Sequence, residues 1–320
     1  MPDHDLGLGL GLGLAAIIAS PSASRLRDAE ERDRVIAAAT RALRRRGHDR
    51  VEVTVTGDPA ELRAAASEAV TGGASTVVLA GGDGTVRDAS SALADSGVAV
   101  GLLPCGTGNL YAASVGVPRS IDRAVSALQA GTPRPFDLGE VRLERGDAPA
   151  ETIPFVVACG TGFDAHVMAA TTRIAKQRYG VAAYFVAASG LLVHLRPQPT
   201  IITVDGVRNE LESVVVLIAS AGGGLPGPFR PRLPISADDG LLHLFVLPRG
   251  GVLGGIQGVL ELLLAGSTGP SATGAGLRFA GRRIRVEVDP PGPVEVDGDA
   301  FAPATLEAVV RPGALQVIRT

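Results

Sequence analysis

The sequence has very little cysteine and no apolar run long enough to cross a bilayer. Cys105 and Cys159 are too few for a disulfide framework, which favours a reducing compartment, and we expect both to be small buried residues. The apolar stretch at residues 6–19 falls short of the roughly 18–20 residues of a membrane-spanning helix, and aspartates precede it where a signal peptide has basic residues. The sequence therefore predicts a cytoplasmic protein.

An excess of positive charge is also lacking. The net charge is −3, which argues against a nucleic-acid binder that relies on a basic field. The five histidines have no shared metal-ligand spacing; they are His4, His48, His166, His194 and His243. Hydrophobic residues make up 46% of the 320 residues and charged residues 20%, so the chain can bury the cores of two domains.

Strand and helix signals alternate in the first part of the chain, and strand signals dominate the rest. The alternation predicts a parallel sheet with helices on both faces. Short strands separated by turns predict a mostly antiparallel β-sandwich after residue 135, interrupted by helices near 173–194 and 252–265. We therefore predict an α/β domain at residues 1–135 and a β-sandwich domain at residues 136–320.

The individual elements follow from apolar periodicity and from capping residues. Helices are predicted at 25–46, 58–70, 86–94, near 109 and at 121–129, with Asp58 as an N-cap and Pro59 in the first turn. Strands are predicted at 15–19, 51–55, 75–80, 98–103, 136–143, 153–158, 201–204, 214–219, 241–247, 283–288, 294–296 and 315–318.

A glycine-rich turn, Gly81-Gly82-Asp83-Gly84-Thr85, follows the apolar run at residues 75–80. Because glycine has no Cβ, such a turn lets backbone N–H groups approach phosphate oxygens closely. The Asp83 carboxylate is an oxygen ligand of the kind that phosphate-bound Mg²⁺ prefers, and Thr85 adds a hydroxyl. The turn therefore predicts a phosphate site.

A second turn of this kind, PCGTGN at residues 104–109, follows the next predicted strand and contains Gly106, Thr107, Gly108 and Asn109. Turns after consecutive parallel strands lie side by side at the carboxyl edge of the sheet, where open α/β sheets bind ligands. The two turns together predict a cradle for nucleotide phosphates.

The pair GGDGT and PCGTGN, at this spacing, resembles the diacylglycerol kinase catalytic-domain family, which includes bacterial diacylglycerol kinases, sphingosine kinases and ceramide kinases. The resemblance extends to GTGFDA at 160–165, the basic-then-aromatic segment at 176–184, PISADDGL at 234–241 and DGD at 297–299. It implies a nucleotide-binding first domain, a lipid-binding second domain, and the use of ATP and Mg²⁺. Ser20 and Thr56, which follow the first two strands, are further candidate nucleotide contacts.

Phosphoryl transfer to a hydroxyl also requires a carboxylate that accepts the hydroxyl proton. The resemblance makes Asp299 the first candidate, although the family usually has the longer glutamate there. Asp297 is the second candidate, and Asp83 is a further catalytic candidate. An ordinary Asp-Gly hairpin turn is the alternative interpretation of the triplet.

The resemblance also implies a structural Mg²⁺ bound by Asp239 and by the carbonyl groups of Ser236 and Leu241. The alternative for this segment is a solvated turn. Asp164 either faces the cleft between the domains or caps a helix. The basic residues at 173–178, ahead of the apolar stretch at 181–195, either contact anionic lipid or end a buried helix.

Several polar positions depart from the family pattern. Ser20, Ala158 and Ser220 stand where the family has asparagine, and an arginine frequently found shortly after Asn109 is absent. Arg87-Asp88 replaces Asn-Glu, so Arg87 adds positive charge near the nucleotide; it either binds phosphate or lies on a solvated helix face.

Three functions therefore remain open. The first is an ATP-dependent lipid kinase, with a diacylglycerol-like lipid alcohol as default substrate and peripheral contact with the membrane. The second is a nucleotide- or lipid-binding protein with weak or no catalysis, and the third is an NAD kinase, whose family shares the GGDGT turn. A homodimer is compatible with the sequence.

Overall fold

The computed structural model describes residues 12–162, 197–222, 235–248 and 276–320, which contain five helices and sixteen strands. The helices are α1 (Ala29–Arg46), α2 (Pro59–Thr71), α3 (Asp83–Leu93), α4 (Leu110–Ser114) and α5 (Ile121–Ala130). The strands are β1 (Leu14–Ala19), β2 (Arg50–Val55), β3 (Thr76–Gly81), β4 (Ala99–Pro104), β5 (Thr132–Glu144), β6 (Glu151–Phe155), β7 (Ala158–Thr161), β8 (Gln198–Val204), β9 (Val207–Ser213), β10 (Val215–Ala219), β11 (Leu242–Leu247), β12 (Leu277–Gly281), β13 (Arg283–Val288), β14 (Val294–Val296), β15 (Asp299–Phe301) and β16 (Thr305–Arg319).

The first four strands form the predicted parallel sheet, in the order β2-β1-β3-β4. β3 is buried along its whole length because helices cover the sheet, and its apolar, β-branched sequence suits that position. Val35, Ala39 and Leu43 form the buried stripe of α1 at a spacing of four residues. The α/β fold predicted for the first part of the chain is confirmed.

The remaining strands form two antiparallel layers around a second core. One layer extends the larger sheet through β5, β6, β8, β9, β13 and β16, and the other has the order β12-β11-β10-β7-β14-β15. Their shared core combines Ile284 and Leu306 of the larger sheet with Ile218, Leu244 and Val296 of the smaller one. The predicted antiparallel sandwich is therefore confirmed as well.

The last strand joins the two parts of the larger sheet. Residues 306–309 of β16 pair with β13, whereas Gln316 and Val317 pair in parallel with Ala99 and Val100 of β4. β5 pairs with β16 from Thr132 to Glu144, with an irregularity after Arg311. The predicted boundary at residue 135 falls within β5 and stays a prediction.

Several elements differ from the sequence-based prediction, among them the unpredicted strands β12 and β15, and three other differences have a clear physical cause. α1 begins at Ala29, because the Asp28 carboxylate caps it by accepting the Glu31 N–H at 2.8 Å. α3 begins at Asp83, so most of the first glycine turn is the first turn of a helix. β9 was not predicted, because its mostly polar sequence is stabilised by hairpin pairing with β8.

Two of the predicted helices and several predicted contacts lie outside the described residues. These are the helices near 173–194 and 252–265, Asp164, and the basic and apolar segments at 173–178 and 181–195. Among the described helices, none combines the length and apolar character needed to cross a membrane.

Candidate functional site

A pocket of about 320 Å³ lies at the carboxyl ends of the four parallel strands. Ser20, Gly57, Gly82 and Gly106 line it, one from the segment after each of β1, β2, β3 and β4. The other lining residues are Ser22, Ala23, Ser24, Arg27, Pro59, Leu62, Gly84, Thr85, Arg87, Asp88, Thr107 and Asp299. The two glycine turns thus meet at the edge where open α/β sheets bind ligands, as predicted.

The two turns contact each other through their backbones. A Cβ atom on Gly106 would lie 2.6 Å from the Cα of Gly82, which is closer than real Cβ contacts allow. The N–H groups of Cys105 and Gly106 donate to the Gly81 carbonyl at 2.8 and 3.2 Å. These glycines are therefore needed for packing between the turns, a role that the sequence did not indicate.

Gly84 differs from the other glycines of the turns. A Cβ atom added there would have no atom within 4 Å from outside its own helical turn, and Gly84 lines the pocket. The absent side chain therefore leaves room for a ligand rather than for another part of the protein. Gly84 also lies in the first turn of α3, where backbone N–H groups have no acceptor within the helix and favour an anion.

The Asp83 carboxylate joins the two turns. Its Oδ1 accepts the Tyr111 N–H at 2.9 Å and its Oδ2 accepts the Leu110 N–H at 3.1 Å, at the start of α4. Burial raises the pKa of Asp83, and the two N–H donors oppose that shift. Asp83 is not among the pocket-lining residues, so the geometry gives it a positioning role, and its predicted Mg²⁺ contact stays a prediction.

Asn109 fixes the shape of the second turn. It adopts a left-handed backbone conformation (φ 50°), which asparagine tolerates better than most residues. Its Oδ1 accepts the Gly106 N–H at 2.9 Å, and its Nδ2 donates to the Gly106 carbonyl at 2.7 Å. A Cβ on Gly108 would lie 3.1 Å from Asp83 Oδ2. Asn109 and Gly108 thus support the turn, whereas Thr107 faces the pocket.

The two residues after β1 and β2 are both buried and have different surroundings. Ser20 lines the pocket, and its hydroxyl lies 2.7 Å from that of Ser22. The Thr56 hydroxyl donates to Glu61 at 2.6 Å and accepts the Asp58 N–H at 3.2 Å, so it holds the start of α2. Thr56 is not among the pocket-lining residues, and its predicted nucleotide contact stays a prediction.

The Asp297-Gly298-Asp299 turn directs its two carboxylates to different places. Asp297 accepts three backbone N–H groups, from Val156 at 2.8 Å, Val157 at 2.9 Å and Ala158 at 3.0 Å. Burial raises the pKa of Asp297 to about 6, against the opposing effect of these donors. The Asp299 side chain is 61% exposed and lines the pocket. Of the two candidates, Asp299 is the one that lies with the glycine turns.

We expect Asp297→Asn to destabilise the fold by about 1–3 kcal/mol, because an amide N–H₂ then replaces an acceptor that faces backbone donors. Denaturant unfolding followed by circular dichroism measures this loss. Asp299→Asn is the matched control, with an expected loss below about 1 kcal/mol since its side chain is largely exposed. Equal losses in the two variants would contradict the assignment of Asp297 as a structural residue.

Arg87 is buried and connects α3 with the turn that carries Asp299. Its Nε and Nη2 donate to Asp88 Oδ1 at 3.1 and 2.9 Å, and its Nη1 donates to the Val296 carbonyl at 3.2 Å. The same Nη1 lies 2.6 Å from Asp299 Oδ2. This burial rules out the solvated helix face that the sequence left open, and it places the guanidinium on the pocket wall.

The Asp238-Asp239-Gly240 turn is held by hydrogen bonds within the protein. Asp239 accepts the Leu241 N–H at 3.0 Å and lies 2.9 Å from Nε2 of His243, and the Ser236 hydroxyl contacts Asp238. Across residues 12–162, 197–222, 235–248 and 276–320, no three His, Cys, Asp or Glu side chains are grouped to hold a metal. The predicted Mg²⁺ ligands are one carboxylate, that of Asp239, and the two carbonyl groups of Ser236 and Leu241, and this metal site stays a prediction.

Both cysteines are free and buried, as predicted. Burial raises the pKa of Cys105 to about 12, which leaves its thiol protonated at neutral pH and unsuited to nucleophilic catalysis.

Comparisons with known proteins match both parts of the chain. Residues 16–141 match the diacylglycerol kinase catalytic domain, and residues 157–319 match the YegS C-terminal NAD kinase beta sandwich-like domain. A protein of Pseudomonas fluorescens named "Probable lipid kinase YegS-like" is 31% identical over 292 residues, which are 88% of this chain and 89% of that protein. A diacylglycerol kinase of Mycobacterium tuberculosis is 30% identical over 288 residues, 87% of each chain.

Two further comparisons bear on length and fold. The uncharacterized protein sll0036 of Synechocystis is 28% identical over 249 residues, and this chain spans 55% of its length. The crystal structure of a diacylglycerol kinase from Bacillus anthracis is 18% identical and has a TM-score of 0.68 over 97% of this chain and 98% of that one. At this identity the likeness shows a shared fold.

Proposed function

This chain belongs to the lipid kinase family that combines a diacylglycerol kinase catalytic domain with a YegS-type C-terminal domain, and we propose that it phosphorylates the hydroxyl group of a diacylglycerol-like lipid with ATP. The observation that carries the proposal is the pocket in which both glycine turns, two arginines and Asp299 converge. The nucleotide phosphates lie against Gly84 and the first turn of α3, with Gly106 and Thr107 on the other side.

In the proposed reaction, the lipid hydroxyl oxygen forms a bond to the γ-phosphorus while the bond from that phosphorus to the β,γ-bridging oxygen breaks. ADP leaves with the electron pair, and the hydroxyl proton passes to the Asp299 carboxylate. The oxygen donors of the pocket suit Mg²⁺, which would be held by the nucleotide phosphates, water and the carboxylate of Asp88, while Asp299 remains available to accept the proton. When bound, Mg²⁺ would neutralise part of the negative charge of the phosphates.

Peripheral contact with the membrane is part of the proposal, because the acceptor is a lipid. The cytoplasmic location and the homodimer stay predictions.

One observation favours a second candidate, nucleotide binding without transfer. Asp299 is one methylene shorter than the family's glutamate and is ion-paired with Arg87. A displacement of a reacting group by about 1 Å can cost a hundredfold in rate. A protein that binds nucleotide without transfer would bind ATP but phosphorylate no acceptor.

We expect the purified protein to transfer label from γ-labelled ATP to a lipid alcohol presented in mixed micelles with Mg²⁺. The panel contains diacylglycerol, a sphingoid base, ceramide and NAD. Asp299→Asn is the control, because Asp83→Ala would disturb the packing of both turns. Bound ATP with no labelled product favours the second candidate, and labelled NAD would contradict a lipid acceptor.

A further inference from the structure

Arg87 is one of two arginines that line the pocket, and it is the one held in place by contacts on two sides. Its side chain is 11% exposed, and it lies one helical turn after Gly84 on α3. Residues three apart on a helix share a face, so Arg87 and the open position at Gly84 border the same part of the pocket.

We propose that Arg87 binds the terminal phosphate of a nucleoside triphosphate and holds Asp299 beside that phosphate. The proposal rests on the nucleotide site of the proposed function and adds a residue that discriminates between triphosphate and diphosphate. A guanidinium has five N–H donors, and the contacts to Asp88, Val296 and Asp299 use four of them. The fifth donor, the second N–H of Nη2, is left for a charge-assisted hydrogen bond to one phosphate oxygen.

The charges around the pocket support this assignment. Asp88 and Asp299 both line it, so a triphosphate that enters meets two carboxylates. Arg87 contacts both carboxylates and compensates one of their two negative charges where the phosphate arrives, and bound Mg²⁺ would offset the other. A positive side chain at this position therefore has two effects: it attracts the terminal phosphate, and it keeps a short aspartate at the pocket.

Isothermal titration calorimetry with a β,γ-imido ATP analogue and with ADP, each with Mg²⁺, tests the proposal without relying on catalysis. We expect Arg87→Ala to weaken binding of the triphosphate analogue about 10- to 100-fold, because a charge-assisted contact to the terminal phosphate is lost. Binding of ADP, which lacks that phosphate, should weaken less than about threefold. Arg87→Lys should fall between, because an ammonium is a point charge without the planar fork.

Two further variants separate this role from a general effect on folding. Arg311→Ala removes an arginine that also bridges two carboxylates, Asp95 and Glu140, away from the pocket, and it should change neither affinity. Asp299→Asn keeps Arg87 and releases one of its partners, so triphosphate affinity should be retained or increased.

Equal weakening of both nucleotides in Arg87→Ala, or no change in either, would overturn the assignment of Arg87 and leave the nucleotide site intact. A lower triphosphate affinity in Asp299→Asn would overturn it too, since the freed guanidinium should bind phosphate at least as well. If the unmodified protein binds neither nucleotide, the proposed function fails together with this inference.

Discussion

Asp299→Asn is expected to lower kcat for phosphoryl transfer by about 10²- to 10⁴-fold, the usual contribution of a positioned general base. The amide has nearly the same shape as the carboxylate but cannot accept the hydroxyl proton. Because Asp299 is exposed at the pocket and forms one ion pair there, the fold and the nucleotide site should remain intact. Steady-state kinetics with labelled ATP and the best lipid acceptor measures the loss.

Asp297→Asn is the comparison that gives this result its meaning. Asp297 accepts three backbone N–H groups, so its replacement should reduce stability and activity together. Asp299→Asn should reduce kcat alone, with an unfolding midpoint close to that of the unmodified protein. A kcat within threefold of the unmodified value would show that another group accepts the proton.

The sequence predicted the parts of this fold that depend on local patterns. Continuous apolar runs predicted β3 and β4, and Asp58 followed by Pro59 predicted the start of α2. The meeting of the two glycine turns could also be predicted, because parallel strands bring their carboxyl ends to one edge. The return of β16 to pair with β4 could not be predicted, since it joins residues more than 200 positions apart.

The candidate site shows the same division between local and distant contacts. The glycine turns and the DGD triplet were identified as short motifs, but their detailed roles depend on partners elsewhere in the chain. Asp83 is held by N–H groups at the start of α4, and Asp297 by N–H groups at 156–158. Arg87 contacts the Val296 carbonyl across 209 positions. The resemblance ranked Asp299 above Asp297, but the reason lies in the packed structure, which places Asp299 at the pocket and Asp297 among backbone donors.

Gly84→Ala should weaken nucleotide binding without destabilising the fold. Gly106→Ala should instead lower the stability of the fold. At Gly84 a Cβ meets no atom within 4 Å from outside its own helical turn, and alanine in α3 should raise stability by up to about 0.5–1 kcal/mol. The same Cβ would occupy the space of a phosphate on the first turn of α3. We expect affinity for the triphosphate analogue to fall about 10- to 100-fold, as one or two charge-assisted hydrogen bonds are lost.

At Gly106 the added Cβ would lie 2.6 Å from the Cα of Gly82, so the two turns must separate, at a cost of about 1–3 kcal/mol. Thermal unfolding and calorimetric titration of both variants distinguish a glycine that admits a ligand from a glycine that packs the protein. Normal nucleotide affinity in Gly84→Ala would show that the phosphates do not lie on the first turn of α3. Unchanged stability in Gly106→Ala would show that the contact between the turns is dispensable, and the pocket would then have to be held by Asp83 and Asn109 alone.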